Sequence, residues 1–247
     1  MKLQDVDQHT LEVLVEAMVE NMNNVNFVHE TVNLGYSDLV ADTQPTGRTY
    51  STPDGTKYPS ITTVLSILSE DSIRAWKKRV GEEEANKIST KASGRGTAVH
   101  EIIESYLNNE TTEKYMPHVK QSLNNVRPIL DERLGKIYGL EVPLYSAHLG
   151  LAGRVDCVAE FDGVPSIIDF KTSKRVKKKE WISNYFAQMA GYAVMWEERT
   201  GRPITNTVVI MDVDDNEAQV FKEHRDNHIN LLIDTKKEYD RRKLFGH

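Results

Sequence analysis

Apolar residues at Leu11, Leu14, Val15, Met18 and Met22 recur every three to four positions, the stripe of a single helix. From Asn21 to Thr46 that pattern gives way to Asn, Asp, Thr and Gly, the composition of a connecting arm. Arg48–Pro59, RTYSTPDGTKYP, reads as a hairpin with Pro53-Asp54-Gly55 at its turn. Ser60 is placed to cap a helix over Ile61–Leu68, because its hydroxyl can accept from a first-turn N–H. A second helix is expected around Asp71–Arg79, with Ile73, Trp76 and Val80 beside Arg74, Lys77, Lys78 and Arg79. A longer helical tract runs from Glu82 to Leu107, with Gly94-Arg95-Gly96 as a candidate break. Another covers about His118 to Leu134, kinked or restarted at Pro128, which has no N–H to give.

The period then changes. Leu140–Ala147 is extended, and Gly150–Phe161 and Val164–Lys171 flank Asp162-Gly163, a dipeptide suited to a two-residue hairpin turn. A long helix follows, about Lys178–Arg199, with Gly201 as its stop. Thr205–Val213 and Ala218–Phe221 form a further strand pair around Asp214-Asp215-Asn216, and the tail from Arg225 to Lys243 is helical. Helices, three strands, a helix and then strands predict an α/β fold, a central mixed sheet flanked by helices, with an N-terminal helical elaboration. Residues 1–47 are read as helix and arm, and 48–247 as the domain that carries the chemistry.

Composition narrows the chemistry. The 247 residues suffice for a core without staples. A net charge of −6 excludes a globally basic chain but not a local basic groove. A lone cysteine, Cys157, excludes a disulfide framework, a thiolate zinc site and a four-cysteine iron–sulfur cluster within one chain. The sequence contains neither an apolar run near the ~18–20 residues of a membrane span nor an apolar N-terminal signal segment. A cytoplasmic protein is therefore expected.

Two acids sit where strands do not favour them. Asp156 interrupts an apolar strand and Asp169 ends the next, with Lys171 two residues on. On a strand, i and i+2 share a face, so Asp169 and Lys171 point together, and Asp156 can join them across the hairpin. Two carboxylates and a lysine on one face suit a hard divalent ion, Mg²⁺ or Mn²⁺, and an activated water. A structural acid near a turn and a solvated lysine are the plain alternatives; the combination D-x12-D-x-K around a hairpin turn is what favours the metal.

With Ile168-Asp169-Phe170-Lys171-Thr172-Ser173, Asp156 and Gln188-x3-Tyr192 taken together, the chain resembles the PD-(D/E)XK nuclease superfamily, and within it the RecB-like exonuclease branch. Gly94-Arg95-Gly96-Thr97-Ala98-Val99-His100 matches that branch's G-x-x-x-H helix motif. Tyr58-Pro59-Ser60-Ile61-Thr62 with Trp76-Lys77 is similar to mitochondrial genome maintenance exonucleases and related phage exonucleases. The resemblance covers about Arg48 to Glu198. It implies a PD-(D/E)XK core in which Asp156 and Asp169 are metal-ligand acids, Lys171 is the catalytic lysine, and the Phe170 carbonyl is a backbone ligand. It also implies that His100 is a metal ligand, that Glu141 is an additional acid, and that Gln188 and Tyr192 contact the active site and the nucleic-acid backbone. Some relatives hold an iron–sulfur cluster with four cysteines, which this chain lacks. Glu104, one turn on from His100, is a reserve ligand or a partner behind the ligands.

The run Lys171–Lys179, KTSKRVKKK, holds six basic residues in nine. It leaves the strand that carries Lys171, which favours a phosphate track over a merely solvated face. Lys174, Arg175, Lys177, Lys178 and Lys179 are candidate backbone contacts, with Thr172 and Ser173 adding hydroxyls. Arg154, two before Asp156, is expected on the same face as a phosphate ligand. Trp76 is either core or a base-stacking surface. The function read here is metal-dependent DNA hydrolysis, exonucleolytic and favouring single strands or free ends. A structure-specific endonuclease, a non-catalytic DNA-binding module and an RNA-processing factor are the alternatives; the complete set of His100, Asp156, Asp169 and Lys171 argues against the silent module.

Overall fold

The computed structural model describes residues 25–245, so the helix expected over Leu11–Met22 lies outside the described residues. The expected hairpin forms as β2 (Gly47–Ser51) and β3 (Lys57–Pro59), and β1 (Val40–Gln44) pairs antiparallel with β2 to make a three-stranded sheet. The stretch read as a connecting arm therefore contributes a strand. Its earlier part is also docked: Val28 and Glu30 exchange backbone hydrogen bonds with Ile137 at 2.8 Å, and Phe27 meets Tyr106 edge-on at 5.4 Å.

Ser60 accepts from the Thr63 N–H at 3.0 Å and starts α1 (Ile61–Leu65), which tightens into a 3-10 turn over Ser66–Ser69. Then come α2 (Glu70–Val80), α3 (Glu82–Leu107) and α4 (Pro117–Arg133). The candidate break in α3 does not form, and the helix runs unbroken through Gly94-Arg95-Gly96. Pro128 lies inside α4, whose buried face of Val119, Leu123, Val126 and Leu130 holds the helix together across it.

The main sheet contains β4 (Leu134–Ser146), β5 (Leu151–Phe161), β6 (Val164–Ser173), β7 (Asn206–Val213) and β8 (Gln219–His224), in that order. Every neighbouring pair is antiparallel except β6 and β7, which are parallel. A parallel pair needs a crossover, and α5 (Ser183–Thr200) supplies it; α6 (Ile229–Phe245) closes the described chain. Asp162 and Gly163 both have positive φ, 51° and 75°, the two-residue turn that matches strand twist. Gly201, φ 68°, ends α5 in the left-handed conformation.

Each sheet face has its own core. Leu144, Leu151, Val155, Val158 and Ile167 pack with Ile61, Phe186, Trp196 and Leu232 under α1, α5 and α6. Ile137, Cys157, Ala159, Phe161, Ile168 and Phe170 pack with Val99, Ile102, Leu123 and Leu130 under α3 and α4.

The alternation slips in one place. Along β5, Leu151 and Val155 face α5, while Cys157, Ala159 and Phe161 face α3 and α4. Along β4, Val142 and Leu144 face α5, while Leu140 packs on the opposite side. Leu140 still pairs with Cys157 and Val142 with Val155. Both strands therefore turn over together, where Glu141 stands opposite Asp156.

Candidate active site

The slip is carried by the Glu141 backbone, whose φ is 48°. A non-glycine residue in this left-handed region within a strand is held there by its surroundings. Such irregularities redirect a side chain out of the regular pleat. Here the effect is to bring Glu141, His100 of α3 and Asp156 of β5 together: one ligand atom from each lies within 4.8 Å of the others. His100 Nδ1 is 3.6 Å from Asp156 Oδ2. The same Oδ2 accepts from the Phe170 N–H at 2.9 Å, and the Phe170 ring meets the His100 ring edge-on at 6.4 Å.

A second group lies on β6. Lys171 Nζ is 2.5 Å from Asp169 Oδ2, and the Gln188 amide on α5 donates to Asp169 Oδ1 at 3.0 Å. The Tyr185 ring sits beneath the ammonium, its centroid 5.1 Å away. Asp169 and Lys171 do share a face, as i and i+2 spacing requires. Asp169 Oδ2 is buried with no partner but the Lys171 ammonium, and the three residues whose donor atoms already converge are His100, Glu141 and Asp156.

The charges follow from these positions. Burial, then the nearby Asp156 and Glu104, push Glu141 up to about 7. Burial also raises Asp169, with Lys171 pulling against it. Burial works against the Lys171 ammonium, but Asp169 and Asp156 outweigh it and hold Lys171 above the usual lysine range. Two acids crowded beside an imidazole make a poor ion-free arrangement and a good oxygen-and-nitrogen donor set for a hard divalent cation. The residues present fit such an ion.

Arg154 departs from expectation. Because the pleat slips at Asp156, i and i+2 no longer share a face, and the Arg154 guanidinium turns to the Glu141 carbonyl at 2.6 Å and to Asp38 of the arm. It is half-buried and spends its guanidinium on these two protein acceptors rather than standing free for a phosphate. Tyr192 is 2% exposed, its ring against Gly153, where a Cβ would lie 2.7 Å from Tyr192 Cε1. It packs the site from behind, out of reach of a strand on the surface, and burial holds its hydroxyl well above the usual tyrosine range. Gln188 is also buried, its amide on Asp169. Glu104 acts on the site through its charge.

The basic run splits. Ser173 Oγ donates to the Arg175 carbonyl at 2.7 Å, and the Lys177 backbone is fixed on both sides by the Gln219 side chain at 2.7 and 3.0 Å. From this pinned loop Lys174, Arg175 and Lys178 are exposed, while Lys177 and Thr172 are half-buried. Lys179 is engaged by Glu223 at 2.7 Å, which it holds at about 2. Trp76 lies half-buried on α2, a helix with no buried residue, and joins neither main core. Sequence reasoning missed two residues here. Asp38 gave no signal in the sequence, whereas Trp181, two positions after the last lysine of the run, was readable.

Comparison with known proteins places these elements in a wider setting. A family model described as the PD-(D/E)XK nuclease superfamily matches residues 111–241. Over 130 residues the chain is 30% identical to mitochondrial genome maintenance exonuclease 1 of Homo sapiens; the match spans 48% of this chain and 38% of that protein. A crystal structure from Eubacterium rectale, of a protein provisionally named an exonuclease, is similar with a TM-score of 0.43 and 14% identity, covering 62% of this chain and 66% of that one.

Proposed function

The chain belongs to the PD-(D/E)XK nuclease superfamily, and on that premise we propose that it is a Mg²⁺- or Mn²⁺-dependent deoxyribonuclease, an exonuclease acting on single strands or free ends. The observation that carries this is the convergence of His100, Glu141 and Asp156 within 4.8 Å beside the Asp169–Lys171 pair. PD-(D/E)XK nucleases use divalent metal ions, and the relative named an exonuclease supports the end-dependent reading.

His100, Glu141 and Asp156 would hold the ion. When bound, it supplies Lewis-acid polarisation of the scissile phosphate and a water of lowered pKa. The chain's own groups do the rest. The Phe170 N–H fixes the Asp156 carboxylate. Gln188 holds Asp169, and Asp169 fixes the Lys171 ammonium, which orients the attacking water and offsets charge as it builds on the phosphate. Asp169 acts through Lys171 in this arrangement. Phosphates entering the site are met by Lys174, Arg175 and Lys178. No helix among the described residues is long and apolar enough to cross a membrane, and DNA is the partner proposed.

The test is digestion of end-labelled single- and double-stranded DNA, linear and circular, with Mg²⁺, Mn²⁺ or EDTA, alongside an RNA strand. Linear single-stranded DNA should be cut fastest, closed circles barely, RNA not at all, and nothing in chelator. Full activity in EDTA would overturn the metal reading. Circles cut as fast as linear strands would replace the exonuclease with an endonuclease.

A further inference from the structure

We infer that Trp181 is a base-stacking platform for a single DNA strand whose phosphates run along Lys174, Arg175 and Lys178; this rests on the nuclease reading above. Of the three tryptophans, Trp196 is only 1% exposed, Trp76 is half-buried, and Trp181 is 63% exposed. An indole left in water forgoes the stabilisation that burying its apolar surface would give. Among the described residues its one ring contact is the Lys178 ammonium.

Its position suits a base. Trp181 ends the 3-10 turn Lys179–Trp181, between the basic loop and α5. That turn is secured by the Trp181 N–H on the Lys178 carbonyl at 3.0 Å, and the loop before it is pinned by Gln219. The ring is thus presented from fixed backbone. Lys178 Nζ lies 5.5 Å from the ring centroid, so a cation for the phosphate and a flat surface for its base are neighbours. Beyond the turn, α5 begins at Ser183 and carries Tyr185, half-buried, and Gln188, buried. Tyr185 takes the Lys171 ammonium and Gln188 takes Asp169. The indole therefore stands in the chain between the basic loop and the helix whose Tyr185 and Gln188 hold the Asp169–Lys171 pair. Among the described residues no carboxylate pairs with Lys174, Arg175 or Lys178, whereas Lys179 is neutralised by Glu223. Stacking of this kind tolerates any sequence, because every base has a π-face.

The test measures the affinity of the full chain for a thymidine oligonucleotide in EDTA, where a bound strand is not cut. Trp181→Ala should weaken binding about 5- to 100-fold, and Trp181→Phe should retain most of it. Indole emission of the wild type should be quenched on binding, and most of that quench should vanish in Trp181→Phe. The salt dependence of Trp181→Ala should stay as in wild type. A Lys174→Ala/Arg175→Ala/Lys178→Ala variant should flatten it by about two counterions. Wild-type affinity in Trp181→Ala, an unchanged quench in Trp181→Phe, or a flattened salt slope in Trp181→Ala would each overturn the stacking role. Because the side chain is exposed, the variants should melt as the wild type does. If the wild type neither binds nor cuts DNA with Mn²⁺, the nuclease reading itself fails, an outcome distinct from normal binding that ignores Trp181.

Discussion

The Arg154 guanidinium donates to the backbone carbonyl of Glu141 at 2.6 Å, across two strands whose pleats turn over together at this point. The bond holds a left-handed glutamate in the middle of a strand, with φ at 48°. That backbone conformation sends the Glu141 carboxylate toward His100 and Asp156. Asp38 secures the other end of Arg154.

Arg154→Ala should therefore act on metal affinity before it acts on DNA. Release of the Glu141 carbonyl lets the strand relax toward a regular pleat, and the donor set loses one oxygen. Mn²⁺ affinity, read by calorimetry without DNA, should fall about 10- to 100-fold, as when other groups that orient a ligand are removed. A variant with wild-type Mn²⁺ affinity and weaker DNA binding would restore Arg154 to a phosphate-binding role.

Glu141→Gln should stabilise the ion-free protein above neutral pH while abolishing metal uptake. The folded-state pKa of Glu141, about 7, lies above its ordinary value of 4.5, so the native state holds a proton that the unfolded state has released. Stability then falls as pH rises between those two values, and the full cost is present above about 7. Removing the charge should return roughly 1–3 kcal/mol at pH 8 and little at pH 4. Thermal melts in EDTA at both pH values check the sign; equal effects at the two would contradict it.

Lys171→Ala should cut turnover at least about 100-fold, since among the described residues no other cation pairs with Asp169 beside the donor set. It also leaves Asp169 buried with Gln188 alone. The destabilisation, roughly 3 kcal/mol, should shrink as pH falls and Asp169 takes up a proton. Melts from pH 8 down to pH 5 should show the variant converging on wild type. A constant gap would mean Asp169 is not the group left exposed to the loss.

Gly153→Ala places a methyl 2.7 Å from Tyr192 Cε1 and 2.8 Å from its hydroxyl. The ring is buried and has little room to move, so the cost should be roughly 1–3 kcal/mol. Tyr192→Leu in the same chain should recover part of that stability. Failure of the double variant to exceed the single one would show that the strain lies elsewhere.

Much of this architecture was legible because local rules and tertiary packing agree. Ser60 caps a helix, Asp162-Gly163 turns a hairpin and Gly201 ends α5. The pairing of Asp169 with Lys171 follows from strand spacing, whereas the place of Gln188 behind them was what the family resemblance implied. What alternation could not reveal is the shared slip at Glu141 and Asp156. Period-two reasoning put Arg154 on the Asp156 face; a left-handed residue on the neighbouring strand turned it away. Nor could periodicity show that residues 40–44 would pair with the hairpin, since all five are exposed and give no apolar stripe.

The site is divided between the two cores. His100 comes from the helix packed on one face of the sheet, Gln188 from the helix packed on the other, and the acids from the strands between. A chain with only one layer docked has either an imidazole without a fixed lysine or a lysine pair without its imidazole. On the proposed reading, newly made or partly opened molecules would lack the assembled site. On that reading, docking of the second layer doubles as a safety catch, because a molecule that loosens on either side takes its own site apart.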